Sequence, residues 1–447
     1  SPEASLRLPN ALAGAAATVV LFLLARSFFG TATALWASVF LALDVNATGI
    51  NRIGKEDTFL VLFLLLGIWF YEEARFRHLR DGDSPHRWYG ASGAAFGLMI
   101  ASKYMPYYLG LWALFGIAAS KEARRAAAGD DQAVMSTRQR ASKWFHLAML
   151  GGFVIANPAI LHPATWRYLL GYMNGATITH HGAFFAGQVY INIMGATPWG
   201  LPWHFYLVYL FTKTPLPVLG LVALGIVELA RRRRERGAVF ARVFLLLFLL
   251  PASLMASKFG RYLLPTVVVL DIVAALGAVR AFEWLGRVSR PTVRAVAAAT
   301  LAVSIVGAPL TAQIHWSPYP SLFQNTIGHH LSAPGTTFPN DELYDAGVRE
   351  AVEWISRRAS GGASIASDAP DVVAEYLRRY GRPDIEARSL SMAGLAMPPT
   401  ETWLLAEDSH ACFESLQVVE QVRRRQKPDF VYQVHGTPAV EAFRLPW

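Results

Sequence analysis

The apolar residues of this chain are bunched rather than spread, and the bunches are long. Spanning a bilayer takes roughly 17–25 mostly apolar residues in helical form. Ten stretches meet or approach that length: 10–28, 31–48, 57–74, 88–102, 104–120, 144–160, 204–230, 240–256, 262–286 and 293–312. The fourth and fifth are short and join through "ASKYMPYY". From about Gln313 the pattern changes. "DELYDAGVREAVEWISRRAS" and "PDVVAEYLRRYG" carry apolar residues at helical spacing, and "ASIASD", "TWLLAED" and "DFVYQVHG" read as strands. The pattern therefore predicts a polytopic α-helical membrane protein of about ten spans over 1–312. A small α/β domain follows over 313–447. No internal repeat or low-complexity segment interrupts it.

Composition agrees. The 447 residues are 53% hydrophobic and 16% charged, with mean hydropathy +0.30, whereas soluble domains carry roughly 25% charged residues. Cys412 is the single cysteine and cannot form an internal disulfide.

Charge placement gives an orientation. Lys and Arg gather in alternate connections: Arg26; then Arg75, Arg77, Arg80 and Arg87; then Lys121 to Lys143; then "RRRRER" at 231–236; then Arg287, Arg290 and Arg294. The long connection 161–204 holds one Arg, Arg167, and no Lys, Asp or Glu. Basic loops stay cytoplasmic, so ten passes place both Ser1 and the tail outside, in the periplasm if the membrane is a bacterial inner membrane. An outside start without its own signal implies a helix upstream of Ser1. The part before Gln313 holds 29 basic and 15 acidic residues; the tail holds 12 and 17. The basic pI near 9.6 thus belongs to the membrane loops, and nucleic acid is not a partner.

Against this frame, "DVNATGINRIGKEDTFLVLFLLLGIWFY" sets Arg52, Lys55, Glu56 and Asp57 at the outer mouth of an apolar helix. Basic anchoring is not required on that side. Either acid could cap the helix; ionisable groups at membrane depth are otherwise functional. "MASKFGRYLLP" adds Lys258 and Arg261 at an outer junction, and "ASKYMPYY" adds Lys103. Both sets suit a phosphate, and both also suit interfacial snorkelling beside aromatic residues. In the long outer loop, Trp166, Tyr168, Tyr172, Trp199 and Trp203 suggest an interfacial or re-entrant helix. The pair His180-His181 there offers a phosphate contact or a ligand for a divalent metal ion, the one cofactor the sequence leaves open.

The ordered segments "ASLRLPNALAGAAATVVLFLLARSFFG", "INRIGKEDTFLVLFLLL", "GLMIASKY" and "SKFGRYLLP" resemble the polyprenyl-phosphate-sugar-dependent glycosyltransferases of the C-type membrane fold. Within that fold the likeness is to protein O-mannosyltransferases and lipid A aminoarabinose transferases, over residues 1–312. The resemblance implies a first helix and a large outer loop bearing an acidic base, both upstream of Ser1. By the same resemblance Asp57 matches the acid of the second outer loop, Arg52 the Arg ahead of it, and Arg261 the Arg of the "RYLLP" junction. His180-His181 matches more loosely a loop where relatives place a metal- or phosphate-contacting His.

The implied chemistry moves a sugar, with inversion, from a polyprenyl-phosphate donor to a protein, lipid or glycan hydroxyl on the outer face. Asp57, with Glu56 beside it, is the candidate base or acceptor-orienting group. Arg52, Lys55, Lys103, Lys258 and Arg261 are the candidate phosphate-binding cations. A lipid or solute transporter is the rival class: it would place charge at the bilayer midplane, where only Lys213 and Asp271 are candidates. A catalytically inactive relative is the third reading.

Overall fold

Long apolar helices do form, and the computed structural model describes them over residues 2–81, 86–103, 131–173, 182–191, 199–390, 401–410 and 413–445. In chain order they are α1 (Pro2–Phe29), α2 (Thr31–Leu43), α3 (Val45–Asn51), α4 (Asp57–Asp81), α5 (His86–Ser102), α6 (Asp131–Ala156), α7 (Pro163–Met173), α8 (Phe205–Lys213), α9 (Leu216–Arg231), α10 (Arg236–Leu254), α11 (Leu264–Gly286) and α12 (Pro291–His315). The chain divides into two compact units. The first comprises 1–171, 214–251 and 261–313; the second comprises 172–213, 252–260 and 314–447.

Ten spans are more than the described residues support. Four helices among them are long and apolar enough to cross a membrane, or five if the bent α2–α3 pair counts as one span. The stretch 104–120 lies outside the described residues. In α4 the apolar run ends at Tyr71, after which Glu72, Glu73 and Arg75 follow. The stretch 204–230 is not one helix: α8 stops at Lys213 and α9 starts at Leu216. Pro215, which has no N–H to continue the ladder, separates them. The α2–α3 bend of 57° sits on Asp44, whose extended backbone closes α2 while its side chain accepts from the Ala47 N–H at 2.6 Å.

Small residues seat the helices of the first unit. A Cβ on Gly225 of α9 would lie 1.9 Å from the Val273 carbonyl oxygen of α11, and one on Gly277 would lie 2.0 Å from that of Leu221. Only glycine permits such backbone approach. Gly93 and Gly97 of α5 meet the Phe145 and Met149 carbonyls of α6 in the same way. On α12, Val293, Val296, Val303 and Ile314 remain exposed, as suits lipid contact.

The second unit holds a five-stranded sheet of order β4-β3-β5-β7-β6. Its strands are β3 (Ser364–Ser367), β4 (Glu386–Ser389), β5 (Thr402–Glu407), β6 (Phe430–Val434) and β7 (Thr437–Leu445). β3 runs parallel to β4 and β5, whereas β7 is antiparallel to β5 and β6. Trp403 and Leu405 join one core with Val348, Val352, Ile355, Val373 and Leu377; Leu404 and Ala406 join another with Val418, Val419 and Phe443. Helices α13 (Val348–Ser356) and α14 (Pro370–Arg379) supply the first core, and α15 (Phe413–Arg425) the second. With both faces covered, β5 is buried along its whole length. Of the segment read as one helix, the Asp341-Glu342 end forms a separate turn, and α13 begins after Gly347 at φ +89°. A separate hairpin, β1 (Gly182–Phe185) with β2 (Gln188–Ile191), turns through Ala186 and Gly187, both at positive φ.

Candidate active site

Asp57 is the first residue of α4, and the polar run before it forms the α3–α4 loop. Three residues of α1 and α3 fix that loop. The Asn10 amide, buried in α1, donates to the Ile53 carbonyl at 3.1 Å and also reaches the Lys55 carbonyl and, at 3.3 Å, Thr58 Oγ1. Thr58 Oγ1 donates to Asn51 Oδ1 at 2.9 Å. One turn beyond Asn10, Gly14 leaves room for the Asn51 side chain, whose Nδ2 would lie 2.5 Å from a Cβ there.

So held, both acids face Lys103. Lys103, one residue past α5, donates to Asp57 Oδ1 at 2.5 Å and lies 3.4 Å from Glu56 Oε1. Arg261, at the start of the segment leading into α11, brings its Nε to 3.6 Å from Asp57 Oδ2. Tyr262 floors the cluster: Lys103 Nζ lies 4.1 Å from its ring centroid and Arg261 Cζ 5.3 Å, a cation–π geometry in both cases. Asp57 is 3% exposed, so its charge depends on these cations. Burial opposes ionisation of Glu56. The Lys103 ammonium and the Arg261 guanidinium outweigh that and hold its carboxyl below the usual range.

Two carboxylates therefore face two cations, all in the first unit. Arg52 sits half-buried at the C-terminal end of α3, and Lys55 is exposed on the loop. Lys258 belongs to the second unit. There its ammonium, 1% exposed, donates to the Leu201 carbonyl at 2.7 Å and to that of Met255, and burial pushes its pKa down to about 8. His180 and His181 lie outside the described residues. Among the described residues no group of three or more His, Cys, Asp and Glu side chains is placed to hold a metal ion.

The sequence alone does not single out every member of the cluster. Asn10, Asn51 and Thr58 position the loop. The visible signal for the first is an amide in the apolar run "PNALAG". Tyr262 was visible as an aromatic neighbour, without its role as the floor. Lys213, a candidate for charge at membrane depth, instead makes a buried ion pair with Glu342 inside the second unit and donates to the Ser321 carbonyl at 2.9 Å.

Residues 1–162 match the family model described as dolichyl-phosphate-mannose-protein mannosyltransferase. A stretch of 105 residues is 31% identical to YkcB of Bacillus subtilis, named a putative mannosyltransferase; it covers 24% of this chain and 14% of that protein. The chain thus spans only a small part of the curated relative it matches. Among solved structures, the Archaeoglobus fulgidus oligosaccharyltransferase tethered with an acceptor peptide aligns over 98% of this chain and 62% of that one, at 11% identity and TM-score 0.50. ArnT from Cupriavidus metallidurans bound to undecaprenyl phosphate aligns over 98% and 83%, at 14% identity and TM-score 0.49. The resemblance read from the sequence holds at the level of fold: this is the C-type fold of membrane glycosyltransferases.

Proposed function

We propose that the protein is a membrane glycosyltransferase that moves a sugar from a polyprenyl-phosphate donor to an acceptor hydroxyl. One observation carries the reading: Asp57, Lys103 and Arg261, from three separated parts of the sequence, converge within salt-bridge distance. A structural ion pair needs one cation. A site for a lipid-borne phosphate needs cations that can change partner, and a carboxylate that is exposed when they do.

In the proposed step the acceptor oxygen attacks the anomeric carbon from the face opposite the phosphate. The bond between that carbon and the phosphate oxygen breaks, and its electron pair stays on the phosphate. Lys103 and Arg261, held on Tyr262 before reaction, stabilise the growing phosphate charge with little reorganisation. As the phosphate draws them, Asp57 loses its partners and becomes basic enough to orient the acceptor hydroxyl or take its proton. Glu56 keeps Lys103 in place. A single displacement inverts the anomeric centre. Arg52 and Lys55 supply further positive charge on the same loop.

On this reading the membrane is a bacterial inner membrane and the cluster faces the periplasm, as does the domain 313–447. The basic loops, including Arg231 to Arg236, face the cytoplasm. The acceptor is a protein, lipid or glycan hydroxyl, and the tail of the donor lies among membrane lipids.

The test is transfer from a radiolabelled polyprenyl-phosphate sugar by the full chain in nanodiscs. Asp57→Asn is expected to lower turnover at least about a hundredfold. Arg261→Ala and Lys103→Met should raise the donor KM and lower turnover. Wild-type-like transfer by Asp57→Asn would overturn the assignment. Substrate movement without a new glycosidic bond would mean a transporter.

A further inference from the structure

We propose that the second unit carries its own binding site for a neutral saccharide. A cavity of about 630 Å³ opens between the β1–β2 hairpin, α8, the 324–339 segment and α15, within the usual range for a small-ligand site. Phe184 and Phe185 both line it, but successive residues of β1 point to opposite faces. The Phe185 ring is buried against Phe205 at 5.1 Å and His204 at 5.9 Å between ring centroids, which leaves Phe184 as the apolar face. The lining also includes Gln324, Thr337, Asp408, Glu420 and Arg423.

Among the described residues, the side chains lining this cavity offer more acceptors than free donors. Arg423 is already engaged, donating to Asp408 at 3.0 Å and to Glu441 at 2.6 Å. The hydroxyl protons of Thr212 and Thr336 go to the Val208 and Ala333 carbonyls, which leaves only oxygen lone pairs toward the cavity. Gln324 is 3% exposed, and its Nε2 donates to Glu342 Oε1 at 3.3 Å. That contact fixes the amide so that Oε1 is its other end, and Oε1 is buried with no hydrogen-bond partner. That oxygen is shielded from the cavity, so the acceptors a ligand meets there are the Asp408 and Glu420 carboxylates and the threonine oxygens.

The ligand that fits donates several hydrogen bonds, carries no negative charge and presents an apolar face. The lining carries two carboxylates, Asp408 and Glu420, against one guanidinium, Arg423, which Asp408 shares with Glu441 outside the lining; this excess of negative charge disfavours phosphates and uronic acids. A peptide brings as many carbonyl acceptors as N–H donors and would leave the acceptors of the wall crowded. A pyranose or furanose has a ring C–H face for Phe184, and hydroxyls for Asp408 and Glu420. On the transferase reading the bound saccharide is a glycan acceptor or product. Binding does not require Asp57, so binding and transfer can fail separately.

The experiment uses the full chain in nanodiscs, since maltoside detergents carry a saccharide head. Binding is followed by saturation-transfer NMR and calorimetry with mannotriose, arabinotriose and xylotriose, with trigalacturonate as the anionic probe and Gly-Ser-Gly-Thr-Gly as the peptide probe. At least one neutral trisaccharide should bind, and trigalacturonate should bind at least tenfold more weakly. Glu420→Gln and the rim substitution Thr336→Trp should each weaken the neutral sugar at least tenfold while Asp57-dependent transfer to a simple alcohol stays unchanged. Three results would each overturn the proposal: no neutral sugar bound at millimolar concentration, trigalacturonate or the peptide bound as tightly, or binding untouched by Thr336→Trp. Thr336 and Glu420 are both exposed, so neither substitution burdens the fold.

Discussion

Asp57 and Lys103 lie 46 positions apart in the chain and 2.5 Å apart in space. The contact joins the first residue of α4 to the residue just beyond α5, so it reports how those two helices are seated. Both side chains are shielded, at 4% and 11% exposure. Removing one partner strands the other.

A double-mutant cycle follows from that. Asp57→Asn or Lys103→Met alone should lower stability by about 3 kcal/mol, the order seen when one member of a buried pair is removed. The double variant should lose less than the sum, with a coupling of about 1–2 kcal/mol. Denaturation midpoints in one fixed detergent check it. Strict additivity would show that the pair does not exist in the folded protein.

Asn10 and Gly14 position the loop from α1. Asn10→Ala should cut transfer about tenfold with a stability loss near 1 kcal/mol, the usual worth of a hydrogen bond. Gly14→Ala drives a methyl into Asn51, which is tied to Thr58, and should harm transfer similarly. Combining it with Asn51→Ala opens the space again. A double variant no better than Gly14→Ala would argue against this steric origin.

Lys258 gives a pH dependence with a definite sign. Its folded pKa, about 8, lies below the ordinary value of 10.5. Below pH 8 both folded and unfolded forms are protonated, and folding bears the full cost of burying the charge. Between pH 8 and 10.5 the folded form sheds its proton first, so stability rises with pH, by up to about 3 kcal/mol. The Leu201 and Met255 carbonyls favour the ammonium and keep the rise below that limit. Melting temperatures across this window should climb for wild type relative to Lys258→Met; parallel curves would contradict it.

Within the second unit, Lys213 and Glu342 are 1% and 0% exposed. Glu342→Gln should cost about 3–5 kcal/mol because it leaves a buried ammonium. The apolar pair Lys213→Met with Glu342→Leu should recover most of that loss, since desolvating two charges offsets much of their attraction. Thermal unfolding of the two variants distinguishes a paired site from independent residues.

What the sequence determined by itself was set by local chemistry. Apolar blocks between basic connections establish a helical membrane protein, because lipid tolerates little else. The tail strands at β3, β5 and β6 stand out by their runs of apolar residues. Glu386–Ser389, which forms β4, does not: "EARS" at a sheet edge has no apolar pattern to read. Arg52, Glu56, Asp57, Lys103 and Arg261 could each be named from their placement at helix mouths, as could Lys258.

Tertiary structure alone decided which of these meet. Lys258 and Arg261 are three positions apart, yet the first is claimed by main-chain carbonyls of the second unit and the second by Asp57 in the first. Lys213 has the sequence setting of a charge within a span, yet Glu342, 129 positions away, neutralises it. Charge pairing is fixed by which backbones approach, and that approach depends on glycines and buried amides whose partners lie far along the chain. Residue type announces that a side chain can carry charge; only the packed fold assigns its counter-ion.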